Sequence, residues 1–168
     1  MFVTFAAVLL STAAPEPLDP DLACIVDRVP ASARAMMLAE TASEVDGPAQ
    51  AALIEAATAC GTERGWAPEH AGNAAMIATG VILGEEATLY LDKAGIPVGP
   101  IDAWFDAQPR DVQTMGQMDQ AVGERVVRHL VDEGLSLASV EANAMQIGIY
   151  VGARMMIERI AAGLGPPN

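Results

Sequence analysis

Asn143, Gln146, Tyr150 and Arg154 recur at three- and four-residue spacing, and no charged residue lies between Glu141 and Arg154. At the 100° per residue of a helix, these four share one narrow stripe with Ser136, Ser139 and Glu158. The rest of that helix is apolar or glycine, the pattern of a helix buried on most sides. Two amides, a phenol and a guanidinium in such a place suit ligand binding. An arginine there needs a carboxylate or an anionic ligand opposite it. Two plainer arrangements compete with a binding site: a solvated stripe, or Arg154 paired with Glu158 on its own helix.

Other chemistry is thinly represented. His70 and His129 are the only histidines, and neither stands in an HExxH or comparable ligand spacing. Glu85 and Glu86 are adjacent, so on a helix they point to different faces and make a poor acid/base pair. No phosphate loop and no GxSxG occurs. Met36-Met37, Met115 with Met118, and Met155-Met156 form three thioether clusters. Such clusters can bind Cu(I) in exported proteins, but Met115 and Met118 share a helical stripe with Val122 and Val126, which is core filling. The expectation is no metal, no cofactor and no catalytic residue.

Cys24 and Cys60 are the only cysteines. Residues 1–13 read as a signal peptide: Phe2 to Leu10 is apolar, and small residues follow. No Lys or Arg precedes the apolar run, which departs from the usual pattern. An exported chain with two cysteines suggests one disulfide, whereas a cytosolic chain would hold two buried thiols. Together the two signals point to a periplasmic or secreted protein with one all-helical domain over 14–168.

The elements that position these residues are helices. Ala, Leu, Met and Glu are frequent, and β-branched runs are short. Pro20, Pro48, Pro68 and Pro109 are placed as helix openers, and Gly61, Gly134 and Gly163 as terminators. The expectation is an all-α bundle of about six helices around a central buried helix from Ser136 to Gly163. One long helix should run from Pro109 to about Glu133, and another from Pro68 to about Ala94. Gln50–Asn73 and Gln120–Asn143 share one plan: a helix, a glycine-containing turn, and the start of a long buried helix.

Gly80 and Gly84 lie on one side of the second of these helices, and Gly148 and Gly152 on one side of the central one. Each interior glycine costs about 1 kcal/mol relative to Ala. The compensation expected is close approach of the two helices at all four positions. Neither helix reads as apolar for long enough to be a firm membrane span, so no stable membrane insertion is expected. The net charge of -13 opposes nucleic acid and anionic lipid as partners. The function expected is a non-catalytic binding or interaction domain, taking a protein partner or an apolar small molecule. The alternative is an enzyme using Gln146, Tyr150 and Arg154 with a carboxylate from a neighbouring helix.

Overall fold

Six of the described helices open where a first-turn proline or a capping side chain removes the cost of free amide groups. A computed structural model describes residues 19–41 and 47–163. The segment read as a signal peptide lies outside them. Asp19 caps α1 (Pro20–Arg28) by accepting from the amide of Asp21. Pro30 separates it from α2 (Ala31–Thr41). Pro48 opens α3 (Pro48–Arg64), which ends at Gly65 in the left-handed region, φ 66°. Pro68 opens α4 (Pro68–Lys93). Then come α5 (Gly99–Asp106), α6 (Arg110–Gln113), α7 (Gln120–Asp132), α8 (Leu137–Ala142) and α9 (Ala144–Ala161). The all-α class is as expected, but the described residues form nine helices rather than about six.

The extra helices come from two breaks. The expected helix from Pro109 to Glu133 stops at Thr114, whose hydroxyl donates back to the Arg110 carbonyl. It restarts at Asp119, which caps α7 by accepting from the Val122 amide at 2.7 Å. The central helix breaks at Asn143, whose backbone leaves the helical region (φ -117°, ψ 15°). Its side-chain amide donates to the Ser139 carbonyl at 2.8 Å, so the side chain competes with the backbone ladder. Ser136 does cap this segment, and Gly163 (φ 72°) follows its end.

α4 and α9 form the spine. Gly80 faces Ala153 and Ile157, and Gly84, one turn on, faces Ala153 again. The two helices therefore run in opposite directions. One group of buried side chains joins α1, α2 and α3 to the first half of α4 through Ile25, Leu53 and Ile82. A second joins α5, α7, α8 and α9 to its last turns through Phe105, Val126 and Leu91. α4 is the one described helix long and apolar enough to cross a membrane, with mean hydropathy 1.3 over its best window. Its length is as expected from the sequence, but its apolar stretch is longer than expected. In the fold its apolar surface is met by α1, α2, α3 and α9.

Of the four glycines expected at a close helix approach, Gly80 alone lies at one; at Gly84 the nearest atom to an added methyl would be the Ala153 methyl at 3.9 Å, an ordinary contact. A methyl group on Gly80 would lie 2.9 Å from Ile157 Cγ1 and 3.2 Å from the Ala153 carbonyl oxygen. The small residue opposite the α4 glycines is thus Ala153, not a glycine. Gly148 faces the methyl of Met118 instead, and Gly152 has open space beside it. α9 turns Ala153 and Ile157, not Gly148 and Gly152, towards α4.

Cys24 and Cys60 form the expected disulfide, with Cα atoms 6.2 Å apart. Arg28 reinforces the same α1–α3 contact through a two-pronged pair with Glu63. Such a bond is compatible with an extracellular or periplasmic setting.

Candidate functional site

The stripe acquires its carboxylates from α5. Asp102 and Asp106 stand four residues apart, so both lie on one face of that short helix. Tyr150 and Arg154 have the same spacing on α9. The Tyr150 hydroxyl donates to Asp102 Oδ1 at 2.7 Å. Arg154 Nη1 donates to the same oxygen, and Nη2 donates to Asp106 Oδ1 at 2.8 Å. The Arg154 guanidinium also stacks over Phe105, 4.7 Å from the ring centroid.

Not every stripe residue joins this cluster. Asn143 is spent on the helix break. Gln146, one turn before Tyr150, is half-buried and outside the network. Glu158 pairs with Arg110, not with Arg154. Nothing in the sequence singled out Asp102 and Asp106 among 22 acidic residues. The available signal was their i,i+4 spacing around Trp104-Phe105, the apolar pair that pins α5 to the core.

The electrostatics make this a closed circuit. Burial, with Asp102 accepting the hydroxyl proton, pushes Tyr150 up from 10.0 to about 12. Burial opposes the charge on Arg154, but Asp102, Tyr150 and Asp106 outweigh it and raise its pKa further. At neutral pH Tyr150 is a hydrogen-bond donor and Arg154 a cation with both prongs occupied. Acid–base catalysis needs a group that titrates near the working pH, and neither residue does. What the cluster can do is hold α5 against α9.

Tyr150 gives a pH test. Its folded pKa lies above its unfolded one, so its contribution to stability is fully present below pH 10 and is lost as pH rises towards about 12. Ultraviolet titration should show a late phenolate step coinciding with loss of structure, and Tyr150→Phe should remove that step. A Tyr150 that titrates like free tyrosine would contradict the hydrogen bond to Asp102.

A second polar cluster lies at the other end of the molecule. His70 Nε2 meets Asp21 Oδ2 at 3.0 Å, and Arg64 pairs with Asp21 Oδ1. The hydrogen bond to His70, with Arg64 beside it, holds Asp21 below the usual carboxylate range. His129 Nε2 donates to the Pro100 carbonyl, tying α7 to α5. No group of three His, Cys, Asp or Glu suited to a metal occurs among the described residues.

A space that can receive a ligand lies elsewhere on α9. A groove of about 690 Å³ runs between α7 and the α8–α9 segment. Val127 and Val131 line one wall, and Leu137, Ala144 and Ile147 the other. Gly123 and Gly148 face the same object across it, the methyl of Met118. This groove was not legible from periodicity, because it depends on the break before Asp119, which leaves Met118 outside α7. Comparison with protein-family models, curated proteins and solved structures gives no match for this chain.

Proposed function

We propose that this chain is a periplasmic or secreted binding domain without catalytic chemistry of its own, and that the α7–α9 groove is its binding site. The observation that carries this reading is the pairing of a large apolar groove with a polar cluster whose groups already satisfy one another. Volumes of about 300 to 1,000 Å³ are usual for ligand sites, and this one falls in that range. Leu137 on its wall is 51% exposed. Exposed apolar side chains beside a groove favour burial by a partner.

A neutral apolar dye such as Nile red tests the site. Its fluorescence should rise with folded protein, and methyl signals of Val127, Val131 and Ile147 should shift together. Leu137→Lys, which places a cation on the wall, should reduce both effects. A dye that leaves those methyl groups unmoved would remove the groove from consideration. The alternative, an enzyme using Gln146, Tyr150 and Arg154, has one supporting observation: a neighbouring carboxylate, Asp102, is present.

A further inference from the structure

We infer that the occupant of the groove is a cationic amphipathic helix of a partner protein; this rests on the groove being the binding site. The first argument is shape. Along α7 the groove is lined from Gln120 to Val131, twelve residues whose eleven rises span about 16 Å at 1.5 Å each. It is a trough open along its length rather than a closed chamber. A helix of three turns has this length and offers apolar side chains at i, i+3 or i+4, and i+7 to one trough.

The second argument is charge. Asp119, Glu124 and Glu141 stand on the rim with Arg128, three carboxylates against one guanidinium. Asp119 uses one oxygen to cap Val122, and Glu124 accepts from Gln120. Both keep accepting capacity, and among the described residues no cation pairs with Glu141. The whole chain carries a net charge of -13. An anionic amphiphile would meet only Arg128 and would approach against that field, whereas Lys and Arg flanking an apolar stripe find partners on both rims.

The third argument is adaptability. The Met118 methyl sits in the space left by Gly123 on one wall and Gly148 on the other. It is the end of an unbranched side chain with three rotatable bonds. Turning it aside deepens the trough between two glycines, one on each wall. A large apolar anchor of the incoming helix fits there without any movement of α7 or α9.

The test uses the full chain and a synthetic peptide of about fourteen residues, with Leu at helical spacing and Lys on the other face. Fluorescence anisotropy should show binding that weakens as salt rises. The methyl signals of Val127, Val131 and Ile147 should shift. Glu141→Lys and Leu137→Lys each lie on exposed positions and should weaken binding by at least about tenfold. Glu55→Lys makes the same charge change on the exposed face of α3 and should leave binding nearly unaltered.

Equal weakening by Glu55→Lys and Glu141→Lys would show non-specific attraction to an acidic protein and overturn the proposal. If Nile red shifts the groove methyl groups but the peptide does not, the groove stands as a site and the helical occupant is wrong. If neither probe shifts them, the proposed function fails with it. Tighter binding of dodecanoate than of the peptide would overturn the assignment in favour of an anionic amphiphile.

Discussion

Replacing both cysteines, as Cys24→Ser with Cys60→Ala, lowers the free energy of unfolding by about 4 kcal/mol. The value follows from the 36-residue separation in the chain-entropy treatment of a closed loop. In a protein of this size that corresponds to about 10 °C or more in Tm. Cys60 is fully buried among the α3–α4 side chains, so Ala leaves less strain there than Ser would. Reductant applied to the unaltered protein should give the same shift in Tm as the double substitution. The α1–α3 contact keeps the Arg28–Glu63 pair and the buried Ile25 and Val26. A loss below about 1 kcal/mol would mean that these contacts fix α1 even in the unfolded ensemble, because the loop entropy would then already be spent.

Gly80→Ala destabilises, although alanine is the better helix former. The new methyl meets Ile157 Cγ1 at 2.9 Å and the Ala153 carbonyl at 3.2 Å. Ile157 is half-buried and can move aside, but the carbonyl belongs to the backbone of α9 and cannot move alone. Overpacking of this kind costs about 1–3 kcal/mol, against about 1 kcal/mol gained in propensity. The net loss should lower Tm by a few degrees. Gly152→Ala is the internal control, since its methyl would enter open space. It should raise stability by about 0.5–1 kcal/mol. Thermal melts of the two variants should therefore move in opposite directions; movement in the same direction would show that α4 and α9 do not meet through Gly80.

Features fixed by local chemistry were legible in the sequence. The proline openers, the Ser136 cap and the Gly163 stop each act within one turn, and the two cysteines had only each other. The long helices were legible from periodicity. The breaks at Thr114 and Asn143 were missed because the apolar period continues through them; Asp119, a good cap residue, was the available signal. Partners across the fold were not legible. Tyr150 and Arg154 were recognised as needing a carboxylate, yet choosing Asp102 requires knowing that Trp104 and Phe105 bury the other side of α5. Gly80 and Gly148 look alike in sequence, and only the rotation of α9 gives one a backbone neighbour and the other a flexible methyl.

The antiparallel α4–α9 spine sets an order on the birth of the protein. Once Lys93 has been made, α1, α2 and α3 can gather on α4, and the Cys24–Cys60 bond can close. The flank of α4 at Gly80 and Gly84 then has no cover until Ala153 and Ile157 are synthesised, more than sixty residues later. During that interval an apolar helix long enough to enter a bilayer lies open on one side. A holding chaperone that recognises apolar helical surface has its target there, and a chain truncated before α9 should be the form that aggregates.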